Sequence, residues 1–172
     1  MLEGVRFVSF SKVLNITWLP IINMSSKVKE ELVNMLNKAL ELEHAAYVQY
    51  LSHAEIVDGL NCEPIIARLK EIASDEAKHQ EVFRTLIGDY LGGVPSMGIA
   101  ETKPAKTIQE ILEVNLKDEK DAVDFYVQIL KKIAQEKENL PYEYLKLEHE
   151  VRHVIMDEQE HIAELKKLMG LK

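Results

Sequence analysis

Cysteine is nearly absent from this sequence, in which Cys62 is the single thiol among 172 residues. One thiol cannot form an internal disulfide, so a secreted disulfide scaffold is excluded and a reducing, cytoplasmic location is expected. Basic residues are also scarce, because 21 Lys and Arg stand against 29 Asp and Glu, for a formal net charge of −8. A protein that coats nucleic acid needs a basic surface, so no nucleic-acid partner is expected.

The sequence also lacks a long uninterrupted apolar run. Residues 1–26 are rich in Val, Ile, Phe and Leu, but polar residues interrupt them between positions 11 and 17. A membrane-spanning helix needs about 20 apolar residues, and no clear signal-peptide cleavage pattern is present, so no membrane partner is expected. We interpret residues 1–26 as an N-terminal extension to a domain at 27–172. It is an oligomer-contact arm, a strand-like tail packed on the domain, or a stretch upstream of a true start at Met24.

Helix start and stop signals divide the remaining chain into four long helices. Ser25 or Ser26 can cap the first helix, and Gly59 can end it in the left-handed conformation. Thr107, with Glu110 three residues later, predicts a capping box at the start of the third helix. The predicted helices run from about residue 26 to 58, 64 to 87, 107 to 139 and 141 to 169.

The connections between these helices predict the topology. The first and third connections are short, so helices 1 and 2 and helices 3 and 4 should form antiparallel hairpins. The middle connection, residues 88–106, contains several Gly and Pro residues and extends to about 63 Å. It can cross the whole bundle and leave helices 2 and 3 parallel. The expected fold is all-α, a four-helix bundle of up-down-down-up topology with one long crossover between helices 2 and 3.

Each predicted helix carries a glutamate at the centre of an otherwise apolar face. A helix turns about 100° per residue, so positions three, four, seven and eleven apart share a face. An unpaired charge on such a face is so costly to bury that the group normally neutralises, so these acids require a partner. Two of the four glutamates are followed three residues later by a histidine on the same face. The acids are Glu43, Glu76, Glu119 and Glu158, and the histidines are His79 and His161.

The two halves of the chain repeat one another. A Glu is followed by a Tyr seven residues later in helices 1 and 3, and Asp-Glu-x-x-His occurs in helices 2 and 4. The halves therefore look like copies related by an approximate twofold axis, which is a natural place for a two-ion cluster. The repeated residues are Glu43 and Tyr50, Asp75 to His79, Glu119 and Tyr126, and Asp157 to His161.

These carboxylates and imidazoles predict a centre for two metal ions. Glu and His at positions i and i+3 project from one side of a helix, so both reach the same centre. Mixed carboxylate and imidazole ligands suit Fe and Mn, whereas Zn tends to prefer fewer ligands and thiolate. We assign bridging carboxylates to Glu76 and Glu158, terminal carboxylates to Glu43 and Glu119, and terminal imidazoles to His79 and His161.

Four further residues are expected to support these ligands. Asp75 and Asp157 should each accept the second ring N–H of the histidine in the opposite half, which would fix its tautomer. Tyr50 and Tyr126 lie one or two turns from the terminal acids and are expected to hydrogen-bond them.

The remaining histidines lack the ligand pattern. Glu150-x-x-His153 has the Glu-x-x-His spacing, but His153 lies about 140° from the acid stripe of helix 4, so we expect it at the surface or an interface. His44, His53 and His149 have no acid in register and are expected to be structural or solvated.

Taken together, the motifs resemble those of the ferritin-like di-iron carboxylate superfamily, whose hallmark is a Glu from each of two helices plus Glu-x-x-His from each of the other two. The resemblance covers about residues 27–169 and is nearest to bacterioferritins and bacterioferritin-like Dps-type proteins, in segments 43–50 and 157–162. It implies a ferroxidase that oxidises Fe(II) with peroxide or dioxygen. It further implies two Fe (or Mn) ions per chain and a role in iron storage and protection against oxidative stress.

The sequence also departs from this family at several positions. Ala77 stands where bacterioferritins carry a haem-binding Met, so haem is not expected. The chain ends eleven residues after His161, too soon for the fifth helix of 24-subunit ferritins, which favours a homo-oligomer that is a dimer or a dodecamer. Rubrerythrins carry Cys-x-x-Cys pairs and a further Glu where this chain has Ala122. A di-metal redox enzyme (rubrerythrin-like peroxidase, manganese catalase or hydroxylase) is the alternative, and a non-catalytic interaction module is a third.

Overall fold

A computed structural model describes residues 19–60 and 62–171 of the chain. These residues form α1 (Leu19–Ala54), α2 (Cys62–Thr85), α3 (Ile108–Gln135) and α4 (Tyr144–Leu168), and the described ranges contain no strand. The all-α prediction is confirmed. The three interpretations of the N-terminal extension concern residues that lie largely outside the described ranges.

The first helix begins earlier than the sequence suggested. The expectation that Ser25 or Ser26 caps it is wrong, because both residues lie inside α1. The hydroxyl of Ser25 instead donates to the carbonyl oxygen of Asn139, 3.1 Å away, in the connection that precedes α4. Gly59 follows the end of α1 with φ of 96°, which is the left-handed conformation expected for it.

The other helix boundaries follow local hydrogen bonds. A π-helical turn, Leu86–Tyr90, extends α2 beyond its predicted end. The capping box of α3 is confirmed, because the Thr107 hydroxyl accepts from the Glu110 N–H while the Glu110 carboxylate accepts from the Thr107 N–H. A 3-10 turn at Lys137–Asn139 occupies the connection to α4, so α4 begins at Tyr144 and not at residue 141.

Side-chain pairs across the bundle determine the directions of the helices. Two pairs join α1 to α3 in opposite sequence order, so these helices are antiparallel, and two pairs show the same for α2 and α4. Because α1–α2 and α3–α4 are also antiparallel hairpins, α2 and α3 run parallel in the expected up-down-down-up topology. The pairs are Tyr50–Glu119, Glu43–Tyr126, His79–Asp157 and His161–Asp75.

The crossover between the hairpins, residues 91–107, lies along α1. The side-chain amide of Asn37 donates to the Val94 carbonyl oxygen, 3.0 Å away. Further along both segments, the Lys103 N–H donates to the side-chain oxygen of Gln49 at 2.6 Å. Later crossover residues thus contact later turns of α1, which positions Lys103 beside the middle of the bundle.

The core consists of two apolar clusters with a polar layer between them. Fully burying one Leu, Ile or Phe side chain contributes about 1.5–3 kcal/mol, so these clusters offset the cost of the polar layer. No helix in residues 19–60 or 62–171 combines the length and hydropathy needed to cross a bilayer. One cluster includes Leu32, Leu36, Phe83, Ile129 and Val151, and the other includes Leu69, Ile72, Ile111 and Leu165.

Candidate metal centre

All six predicted ligands lie in the polar layer, and none is more than 4% exposed. They form two groups of four, and within each group one ligand atom per residue lies within 4.8 Å of the others. Glu76 and Glu158 belong to both groups, which is the arrangement required of carboxylates that bridge two ions. The first group is completed by Glu43 and His79, and the second by Glu119 and His161.

Each imidazole turns its Nδ1 atom towards the acids. The Nδ1 atom of His79 lies 3.1 Å from Glu158 Oε1, 3.2 Å from Glu76 Oε2 and 3.5 Å from Glu43 Oε2. The Nδ1 atom of His161 lies 2.9 Å from Glu158 Oε2 and 3.4 Å from Glu76 Oε1. The two rings, with centroids 6.0 Å apart, therefore contact both shared carboxylates.

The outward ring nitrogens meet the two aspartates that the sequence indicated. Nε2 of His79 lies 3.3 Å from Asp157 Oδ2, within hydrogen-bond distance. Nε2 of His161 lies 3.6 Å from Asp75 Oδ2, an ion-pair contact slightly longer than a hydrogen bond. Each aspartate belongs to the opposite half of the chain from its histidine, so the hairpins orient one another's imidazoles.

Two buried tyrosines bond the remaining acids. The hydroxyl of Tyr50 donates to Glu119 Oε1, and the hydroxyl of Tyr126 donates to Glu43 Oε1. Each tyrosine therefore bonds the acid of the opposite half. The acid seven residues away on its own helix is about 10 Å distant along the axis, at 1.5 Å per residue.

Burial and neighbouring charges shift the pKa values of the carboxylates in opposite directions. Burial, followed by the negative charge of Glu158, raises the pKa of Glu76 well above its ordinary value, and the same causes raise the pKa of Glu119. Burial also opposes ionisation of Glu158, but hydrogen bonds from His161 and His79 outweigh it and lower the pKa of that acid to about 2. Glu158 therefore carries a negative charge while Glu76 and Glu119 tend to hold protons.

The two imidazoles also tend to hold protons. Burial opposes the imidazolium form, but a hydrogen bond to Glu158 and the other acids beside each ring outweigh it and raise the pKa of both His79 and His161. Metal binding at such ligands must release protons, because carboxylates and imidazoles coordinate in their deprotonated forms.

The donor set fits a pair of divalent cations. Four carboxylates carry enough negative charge to balance two divalent ions, and a set of oxygen and imidazole donors suits Fe and Mn. The Oε1 atom of Glu76 is buried without a hydrogen-bond partner among the described residues. A buried oxygen of this kind normally has a partner, so a cation beside it would satisfy it.

A cavity of about 140 Å³ between α1 and α3 extends to this cluster. The more exposed residues of its lining, which form its outer part, are mostly acidic and attract cations. Three small alanines also line the cavity. The ammonium group of Lys103 pairs with Asp118 in the outer part. The outer residues are Glu101, Lys103, Asp118 and Asp121, the alanines are Ala45, Ala46 and Ala122, and the cluster contributes Glu43, Glu76, Glu119 and Glu158.

Sequence reasoning missed a buried amide network beside the cluster. The amide nitrogen of Gln49 donates to Asn115 Oδ1 at 3.0 Å, and Asn115 Nδ2 donates to His53 Nδ1 at 3.0 Å. His53 Nε2 in turn donates to the Lys103 carbonyl oxygen at 3.0 Å, so the network joins α1, α3 and the crossover. The sequence did contain one indication of this network, because Asn115 lies four residues before Glu119 on the same apolar helix face.

The other histidines lie where their lack of a ligand pattern suggested. His53 is structural, and so is His44, whose Nδ1 donates to the Gly98 carbonyl oxygen at 2.6 Å. His149 and His153 are exposed on the outer face of α4, which agrees with the surface position predicted for His153.

Comparisons with known proteins agree with this geometry. A family model described as "Ferritin-like domain" matches residues 33–171. A bacterioferritin from Desulfovibrio desulfuricans is 30% identical over 104 residues, which cover 60% of this chain and 58% of the relative, so the match spans less than two thirds of that protein.

Two solved structures share the fold over most of this chain. A ferritin-like, diiron-carboxylate protein from Bacillus anthracis is 26% identical, with a TM-score of 0.75, and the match covers 82% of this chain and 96% of that one. The Desulfovibrio desulfuricans bacterioferritin, whose structure is described as having a diiron site in different catalytic states, is 26% identical with a TM-score of 0.74. That match covers 84% of this chain and 81% of the bacterioferritin.

Proposed function

The chain belongs to the ferritin-like domain family, and on that premise we propose that it is a di-iron ferroxidase, which oxidises Fe(II) with peroxide or dioxygen. One observation carries the proposal: two groups of four buried ligands share Glu76 and Glu158. Such sharing would hold two ions side by side, so that one oxidant molecule could receive an electron from each.

The proposed roles follow from the contacts of each side chain. Glu76 and Glu158 would be shared by the two ions, Glu43 and His79 would complete the ligands of one ion, and Glu119 and His161 would complete those of the other. Two Fe(II) ions supply one electron each, and hydrogen peroxide takes up both electrons and two protons to give two water molecules. Asp157 accepts the outward ring N–H of His79, and Asp75 lies beside that of His161, so Nδ1 of each histidine would present its lone pair to a metal ion. Tyr50 and Tyr126 hold the terminal acids in place.

Three associated expectations remain predictions. Ala77, which is exposed on α2, has no thioether to bind haem iron, so we propose a haem-free chain. We also propose a homo-oligomer, either a dimer or a dodecamer, and storage of the oxidised iron. Light scattering before and after iron loading measures the particle size and therefore distinguishes a dimer from a dodecameric shell.

Anaerobic Fe(II) titration followed by peroxide tests the proposed activity. We expect two Fe(II) ions per chain to bind and to be oxidised at about one peroxide molecule per two irons. Glu76→Gln removes a bridging carboxylate and should abolish this phase, whereas Glu81→Gln, at an exposed position on α2, should retain it. Continuous consumption of peroxide with two metals retained would select the redox-enzyme alternative. Absence of bound iron in the unmodified chain would contradict both functions.

A further inference from the structure

The outer face of α4 carries a pair of histidines that the buried cluster does not use. His149 and His153 are four positions apart in the sequence, so they are neighbours on the helix surface. Both are exposed, and their ring centroids lie 4.2 Å apart. Neither ring makes a hydrogen bond to any residue in 25–60 or 62–171, so none of these residues occupies the one lone pair that each neutral ring offers.

The charged neighbours of this pair are already engaged with one another. Lys146 Nζ lies 2.5 Å from Glu150 Oε1, and Arg152 Nε lies 2.8 Å from Glu148 Oε1. Their charges therefore compensate locally, and no unpaired cation from these four residues repels a metal ion at the histidines. Divalent Zn, Ni, Cu and Fe all bind imidazole nitrogen well, whereas Mg and Ca prefer oxygen ligands.

We propose that His149 and His153 chelate one divalent transition-metal ion on the surface of α4, with water in its other coordination positions. The helix holds both donors at one spacing before any ion arrives. Once one imidazole has bound, the second binds from a high effective concentration, so the pair binds far more tightly than either ring alone.

This surface site is close to the buried cluster but separate from it. Asp157 lies one further turn along the same side of α4, about 6 Å along the helix axis from His153. The carboxylate of Asp157 contacts His79 Nε2 at 3.3 Å. A metal ion at the histidine pair would therefore lie outside the cluster but beside Asp157, the aspartate that contacts the cluster residue His79. The surface site does not depend on the proposed ferroxidase function, because it shares no ligand with the cluster.

Zn²⁺ titration by calorimetry and retention on immobilised Ni²⁺ test the site, with the full chain free of any purification tag. We expect His149→Asn with His153→Asn to remove one zinc equivalent per chain and to abolish retention, and each single variant to bind at least tenfold more weakly. Gln159→Ala, at an exposed position on the same helix, should bind as the unmodified chain does. Glu76→Gln should keep the surface equivalent even where the buried ions are lost. Unchanged zinc binding and retention in the double variant, or single variants as tight as the unmodified chain, would overturn the proposal.

Discussion

Asp157 Oδ2, on α4, lies 3.3 Å from His79 Nε2, on α2, so an acid from one hairpin orients an imidazole of the other. The same histidine turns Nδ1 towards Glu76 and Glu158. This contact makes the position of a proposed ligand depend on the packing between the hairpins, and not on its own helix alone.

Removing that acid should weaken metal binding without unfolding the bundle. For Asp157→Ala we expect Fe(II) affinity to fall about 10- to 100-fold, which is the usual effect of losing a partner that orients a ligand. Half of the Asp157 side chain is exposed (53%), so its loss leaves no cavity in the core. Anaerobic Fe(II) titration measures the affinity, and Asp124→Ala, at an exposed position on α3, is the matched control. Equal affinity in Asp157→Ala and the control would show that the contact does not support the ligand.

Neutralising a terminal acid should make the metal-free chain more stable but should weaken metal binding. Glu119→Gln keeps the shape of the side chain and an acceptor for Tyr50, but it removes one of four closely spaced buried carboxylates. We expect the metal-free variant to be more stable than the unmodified chain by about 1–3 kcal/mol, the range that applies to a poorly compensated buried polar group. Metal should then stabilise the variant less, because the stability added by a ligand that binds the native state rises with the logarithm of its affinity. Urea unfolding with and without metal measures both effects, and a less stable metal-free variant would contradict this account.

Filling the cavity should slow the arrival of iron but leave the final capacity unchanged. Ala122 lines the cavity together with the exposed Asp121 and the acids of the cluster, so Ala122→Leu places a larger side chain in that cavity. We expect the initial Fe(II) binding rate to fall about tenfold, equivalent to about 1.4 kcal/mol in the barrier. Stopped-flow absorbance measures the rate, and Ala134→Leu, at an exposed position on α3, serves as the control. An unchanged rate would show that ions enter by another route.

His53 should make the stability of the metal-free chain fall in mild acid. Burial lowers the pKa of this imidazole below its ordinary 6.5, although the Lys103 carbonyl oxygen and the charge of Asp118 oppose the shift. Well above pH 6.5 the ring is neutral in both states. As the pH falls from 6.5 towards the folded-state pKa, the unfolded chain gains a proton that the folded chain resists, so the free energy of unfolding decreases.

The variant His53→Gln isolates this contribution because Gln does not titrate. We expect the variant to be less stable than the unmodified chain at pH 7.5, by about 1–3 kcal/mol for the disrupted buried hydrogen bonds. The difference should become smaller at pH 5.5, because only the unmodified chain loses the stability that depends on His53. Urea unfolding at the two pH values measures the difference, and a constant or growing gap would contradict the assignment.

The sequence by itself determined the helical fold class, the identity of the six clustered side chains and their division into two repeats. These features follow from local rules, since a helix turns by a fixed angle per residue and thereby decides which side chains share a face. The capping box at Thr107 was predictable for the same reason. The cap predicted at Ser25 was wrong because Ser25 lies inside α1 and its hydroxyl donates to the carbonyl oxygen of Asn139. Capping rules consider only neighbouring residues and do not predict such a long-range contact.

Only the tertiary structure decided which acid each tyrosine bonds and how the side chains of α1 and α3 meet. Tyr50 bonds Glu119 and not the Glu43 of its own helix, and the His53–Asn115 contact and the cavity between α1 and α3 arise from the same packing. The relative register of two helices depends on how their side chains interdigitate along the whole interface. Packing among residues far apart in sequence sets that register, so it cannot be predicted from the hydrophobic period of either helix alone.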